Sequence, residues 1–351
     1  MAVITYKCPK CGAELIYSPE SGKYKCEYCD STFTQEELGK QAEVASSTDQ
    51  KADAAYTQSG QAVIYTCPSC GAELVTDSTT AATTCFYCHN PVILTGRLEG
   101  EYLPKHIVPF EIGQEEAKQK FIKWVSGKRF IPKNFSSPKQ IEKMAGVYFP
   151  YWIVDEDVDV DADATGLRVN VFRTGDIETT ETSYYQIDRK GKIHFEDLSR
   201  NALKKADHKL VEGVMPYHTK EMKEFSMGYL SGFLAEKRDM EQSEVQQDID
   251  EEMRKYSDII IKESIPESYS SLEFHRLDLT PLHSEWEYAL LPVWTVTYKE
   301  NGSDRIYYFA MNGQTGKVCG ELPVDRFKLA LLFLGVALPV LFLCLLGGWL
   351  L

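Results

Sequence analysis

From Gly146 to Ala164 the chain reads GVYFPYWIVDEDVDVDADA. Asp155, Asp157, Asp159, Asp161 and Asp163 occupy odd positions, while Val154, Val158, Val160 and Ala162 occupy even ones. A period of two belongs to a strand with one wet and one dry face, so 146–164 is predicted as a long strand. Further strands are expected at 167–173, 180–189, 286–298 and 304–311, with turns at Arg173–Asp176 and at Asn312-Gly313 and Thr315-Gly316. At 114–125 the period changes: Ala117, Phe121 and Trp124 or Val125 recur at helical spacing. Residues 219–262 also read as helical, and their charge density from Glu236 to Glu263 fits a solvated face over a sheet, with a partner helix as the alternative. The fold class expected for 100–325 is a mixed α+β body. Pro150-Tyr151-Trp152 and Pro292-Val293-Trp294 echo one another and are expected at strand starts.

The pattern changes again near the end. Residues 329–351 contain no charged side chain over 23 positions, including 11 leucines. As a helix this run spans roughly 34 Å, against about 30 Å of bilayer hydrocarbon, so 327–351 is expected to be a transmembrane tail anchor. Pro339 is expected to kink it, which a membrane tolerates. Arg326 and Lys328 precede the run, and the positive-inside rule then leaves the N-terminal body in the cytoplasm at the cell membrane. The N-terminus has no apolar signal-peptide stretch.

The strongest chemical signal is a repeated cysteine pattern. Cys8, Cys11, Cys26 and Cys29 recur as Cys67, Cys70, Cys85 and Cys88, 59 positions later. In each set two Cys-x-x-Cys pairs are separated by 14 residues. Four thiolates at this spacing suit a tetrahedral metal, and zinc is the expected ion at two structural sites. With four protein ligands no position is left for an activated water. The expected domains are a zinc ribbon at 1–35, a flexible polar linker at 36–62 that lets the ribbons move independently, and a second ribbon at 63–96. Cys85-Phe-Tyr-Cys88-His89 also matches a haem-attachment string, but its cysteines are already claimed by Cys67 and Cys70.

Charge narrows the function classes. The net charge is −14. Residues 1–40 carry five Lys against six Asp or Glu, and residues 61–99 one Arg against three. Neither segment is basic and no basic patch is read elsewhere, so nucleic acid is not an expected partner. An EF-hand loop starting at Asp159 would need a glycine at 164 and a glutamate at 170, where the chain has Ala164 and Asn170. No Walker loop, His-Glu-x-x-His or Gly-x-Ser-x-Gly occurs, and no catalytic residue is assigned.

CPKCGAEL, GVYFPYW, YLSGFLAEKRD at 229–239 and LPVW followed by YYFAMNGQTGKVCGELP together resemble bacterial transcription factor IIB-type zinc-ribbon-containing membrane proteins. That resemblance covers nearly the whole chain and transfers only the eight cysteines. It implies a membrane-bound partner of envelope-stress machinery, similar to proteins found alongside phage shock protein A-like and flotillin-like (SPFH) proteins; with no catalytic motif in the chain, a non-enzymatic role is expected. A helicase role does not transfer, since the phosphate loop is missing. The expectation is an adaptor whose helix can pair with a second membrane protein. A membrane-tethered nucleic-acid-binding protein and a hydrolase in 100–325 are the alternatives.

Overall fold

The computed structural model of the chain describes residues 3–38, 62–266, 268–300 and 305–350. The linker expectation falls almost wholly outside them. The described residues form two compact units. The first comprises 1–150, 205–237 and 290–351, and the second 151–204 and 238–289. The 100–325 stretch is therefore shared between them, because two strands of about 30 residues, Ala145–Thr174 and Ser271–Lys299, contribute to both. The Pro-x-Trp strings mark the neighbourhood of these crossings and lie inside the strands, not at their starts as expected.

The second unit follows from the Asp/Val alternation. Ala145–Thr174 pairs antiparallel with Ile177–Asn201 from Tyr151↔Asn201 to Thr174↔Ile177. The strands expected at 167–173 and 180–189 are parts of these longer ones. A two-residue turn joins them, with Gly175 at φ 65°, a backbone region only glycine enters freely. Val154, Val158, Val160, Ala162 and Ala164 are buried and form a core with Ile187, Phe195 and Leu198. Helix Gln242–Glu263 covers this face through Val245, Ile249, Met253, Ser257 and Ile261, four residues apart at each step. A reciprocal bond pair between Glu241 and Glu244 caps it. The helix expected over 219–262 is thus confined to its second half. Residues 219–241 instead form short 3₁₀ turns and the strands Lys223–Glu224 and Leu234–Glu236, broken by Gly228 and by Gly232 at φ 90°.

On the wet face three of the five aspartates meet cross-strand partners. Asp161 receives Lys190 Nζ at 2.6 Å and Arg276 at 2.7 Å. Asp157 meets His194 Nδ1 at 2.8 Å, and Asp155 accepts the Asp197 amide. Thr165–His275 and Glu156–Ser284 contacts run in opposite order along Ala145–Thr174 and Ser271–Lys299, which makes that pair antiparallel.

In the first unit, helix Gln114–Ser126 buries Ala117, Phe121 and Val125 as its spacing predicted. Phe121 meets Phe309 edge-on at 4.7 Å. Phe110 stacks on Phe233 at 4.3 Å, beside Tyr148 and Trp294. Strand Ile306–Asn312 pairs with Val293–Lys299, and then turns back at Asn312, whose Oδ1 accepts the Gln314 and Thr315 amides. Helix Arg326–Leu350 ends the chain and contains Pro339. It is long and apolar enough to cross a membrane, and nothing in Arg326–Leu343 is buried. The first turn of this helix is fixed to the unit: the Asp325 amide donates to the Phe130 carbonyl at 2.7 Å, and Lys328 Nζ donates to that of Ile131 at 2.5 Å.

Candidate metal centres

Each cysteine pair sits on a tight loop, and the four loops share one backbone design. The first cysteine's amide donates five residues on: Cys8 to Ala13, Cys26 to Ser31, Cys67 to Ala72 and Cys85 to Asn90. Its carbonyl accepts from the residue four on: Gly12, Asp30, Gly71 and His89, at 2.9 Å in every case. That residue has φ of 76°, 55°, 76° and 60° respectively. Glycine meets the requirement freely at two loops, and Asp and His are the non-glycine residues best able to adopt it at the others. His89 is exposed at such a position, in register with Asp30 of the first copy.

These loops bring together all eight cysteines named by the sequence. Cys8, Cys11, Cys26 and Cys29 form one group and Cys67, Cys70, Cys85 and Cys88 a second, with sulfurs within 4.8 Å of one another in each. In the first group Cys8–Cys29 are 3.6 Å apart, and Cys11 is 3.5 Å from both Cys26 and Cys29. In the second, Cys67–Cys88 are 3.7 Å apart and Cys70–Cys85 3.8 Å. A tetrahedral ion with metal–sulfur bonds of about 2.3 Å, the zinc–thiolate value, sets its sulfurs about 3.8 Å apart. Each group can therefore hold one metal ion. In each pair the first cysteine is buried and the second is more open. Cys319 is not part of either group.

The electrostatics favour a cation. The backbone aims amides at the sulfurs: Ser69 and Cys70 at Cys67, Tyr87 and Cys88 at Cys85, and Asn90 at Cys88. The Ser31 hydroxyl and amide bring Cys29 down to about 6. Burial opposes this at Cys85, but the Cys88 and Tyr87 amides carry it down to about 7. Burial raises Cys88 to about 12, assisted by neighbouring sulfurs. Four sulfurs at such spacing cannot all ionise without positive charge among them.

The modules are not independent of each other, contrary to the linker expectation. The N-terminal strand Val3–Ile4 pairs with Pro91–Leu94 of the second module. Ser69 donates to Glu14 at 2.8 Å. Both modules also engage the same segment of the first unit. The Tyr17 amide donates to Ser231 O, Ser231 Oγ donates to Leu15 O, and Tyr17 packs edge-on against Tyr229 at 5.2 Å. Strand Thr80–Thr84 pairs with Leu234–Glu236. Lys205 bridges Asp77 and Glu236 at 2.7 and 2.9 Å. No local sequence signal foretells this docking, since the residues of 205–236 that receive the modules lie some 128–216 positions from their partners.

One similarity covers nearly the whole chain. The sequence is 33% identical over 335 residues to the uncharacterized protein YdjG of Bacillus subtilis (strain 168), covering 95% of this chain and 94% of YdjG. The chain belongs to the YdjG family. The match spans nearly the full length of both chains. No family model matches the chain, and no solved structure matches it.

The sequence reading missed the aromatic side chains on the second loop of each module. Tyr28, Phe86 and Tyr87 lie between the paired cysteines and are 83%, 75% and 72% exposed. Their signal was available: an aromatic residue inside Cys-x-x-Cys cannot turn inward where the ion must sit.

Proposed function

We propose that this member of the YdjG family is a membrane-anchored adaptor. Two structural zinc centres, in tandem zinc ribbons, brace a surface that holds partner proteins, and helix Arg326–Leu350 fixes that surface to the bilayer. The observation that carries the reading is the combination of two four-sulfur groups with outward aromatic loop tips at Tyr28, Phe86 and Tyr87. A four-sulfur shell leaves no coordination site for substrate, so the metal's work is to hold the loops. Exposed aromatic side chains on rigid loops are the side chains most able to anchor a protein interface.

Zinc is preferred over other ions because it accepts four thiolates tetrahedrally without redox change. The eight thiols belong in a reducing compartment. With Arg326 and Lys328 at the start of the helix, the positive-inside rule places the two units on the cytoplasmic side. Membrane tethering then turns weak contacts into stable recruitment by raising effective concentration. The resemblance to zinc-ribbon membrane proteins directs the search for partners to phage shock protein A-like and SPFH-like proteins.

The test is crosslinking and pull-down from membranes with three forms: the full chain, a form lacking 327–351, and the triple variant Tyr28→Ala/Phe86→Ala/Tyr87→Ala. The reading expects two zinc per chain in the full protein and the triple variant, loss of membrane retention only in the shortened form, and loss of captured proteins in the triple variant. Membrane retention without 327–351, or an unchanged capture set in the triple variant, would overturn it.

A further inference from the structure

The acidic composition conceals a basic segment. Between Lys128 and Lys143 there are five Lys or Arg against one Glu, in a chain of net charge −14. Part of it lines a pocket of about 370 Å³ in the first unit, where Lys139 and Lys143 share the lining with Asn134, Ser137 and Gln140 and with the strand residues Thr297–Lys299 and Ile306. The three lysines are exposed. Among the described residues no carboxylate stands within ion-pair distance of Lys139 or Lys143.

The pocket is built on a fixed frame. Gln140 is buried, and its Nε2 donates to the Thr297 carbonyl, fastening the turn Pro138–Ile141 to the neighbouring strand. Phe135 is buried edge-on against Tyr298 at 5.3 Å. The same segment is stapled to the root of the apolar helix through the carbonyls of Phe130 and Ile131. Asn134 is three residues from Ile131, so the pocket's rim begins within about 11 Å of chain from that staple.

We propose that this pocket holds the phosphate headgroup of an anionic phospholipid in the leaflet that helix Arg326–Leu350 enters. The proposal rests on the reading of that helix as a membrane span. The ammonium groups of Lys139 and Lys143, with the Asn134 side-chain amide beside them and Lys299 on the rim, match a phosphodiester in charge and hydrogen bonding. The staple favours a lipid over a free phosphate, because it keeps the pocket near the surface where headgroups are concentrated and within reach of their potential. The lipid would thus fix how the first unit stands on the membrane, and the helix would fix only that it is there.

The test uses the full chain in nonionic detergent, titrated with phosphatidylglycerol, phosphatidylcholine or inorganic phosphate, with bound species counted by native mass spectrometry. Wild type is expected to retain phosphatidylglycerol at least tenfold more tightly than phosphatidylcholine. Lys139→Gln/Lys143→Gln/Lys299→Gln is expected to lose roughly tenfold to a hundredfold of that affinity. The Lys139→Arg/Lys143→Arg/Lys299→Arg variant should keep it, which separates charge loss from misfolding. Equal retention of the two lipids, an unchanged preference in the glutamine variant, loss in the arginine variant equal to that in the glutamine variant, or displacement of the lipid by equimolar inorganic phosphate would each overturn the proposal. Carbonate extraction of membranes is run alongside. Release of wild type there refutes the span, whereas retention with no lipid preference refutes the pocket alone.

Discussion

Gly232 is the position at which one methyl group should detach the first cysteine module. It has φ 90°, and a Cβ placed on it would stand 2.3 Å from Cγ2 of Ile16, in the strand Leu15–Ser18. Adopting that backbone with an L side chain costs about 1–2 kcal/mol. Forcing a methyl against a β-branched neighbour, which has little rotamer freedom to yield, adds about 1–3 kcal/mol. The sum of about 2–5 kcal/mol is similar to what the docking contacts supply. Those are the Tyr17–Ser231 and Ser231–Leu15 hydrogen bonds, the Gln35–Ser226 bond and the Tyr17–Tyr229 ring pair. At about 0.5–1.5 kcal/mol each they total roughly 2–6 kcal/mol. Gly232→Ala should therefore shift the module toward an undocked state while leaving its own fold intact. Hydrogen exchange read by NMR on the full chain checks this. The Tyr17 amide, bonded to Ser231, should lose roughly 30-fold to several-thousand-fold of its protection, at tenfold per 1.4 kcal/mol. The amides of Cys8 and Cys26, bonded inside the loops to Ala13 and Ser31, should stay protected. Gly22→Ala is the control: φ is 64° but the space around it is open, so backbone strain appears without undocking. Unchanged protection at Tyr17, or equal loss at the loop amides, would refute the reasoning.

Met253→Ala, at a site 3% exposed under helix Gln242–Glu263, should destabilise the second unit by about 2–5 kcal/mol in urea melts while the metal content stays at two per chain. Cys70→Ser should lower elemental zinc from about two to about one per chain, since the two groups share no sulfur. His194 is hydrogen-bonded to Asp157, which raises it above the ordinary histidine range. Its contribution to stability is therefore fully present below about pH 6.5 and is lost as pH rises through the raised value. An NMR titration should find that elevated value and see Asp157→Asn return it toward 6.5.

The elements with a clean period were legible in the chain. The Asp/Val alternation sets the face of Ala145–Thr174 directly, because each aspartate must reach water or a cation. Ala117, Phe121 and Val125 likewise fix the buried side of Gln114–Ser126. The eight cysteines were legible because a shared ion requires their spacing. The limits lay elsewhere. Residues 219–241 have helical composition, but Gly228 and Gly232 sit where the first module's strand presses against them, and tertiary contact decided their form. The division into units was hidden because continuous strands carry no punctuation where they pass from one core to the other. The lysines at 139, 143 and 299 escaped notice because net charge averages away what folding brings together.

The spacing of contacts along the chain also sets an order of events during synthesis. Each four-sulfur group closes over 21 positions, whereas the surface that receives the first module is not made until residues 226–236 leave the ribosome. At about 5–20 residues per second, that surface follows Cys29 by roughly 10–40 s. Ion capture should therefore precede assembly, and ribosome-stalled chains of about 130 residues should already protect their thiols from alkylation while the Tyr17 strand is still open to protease.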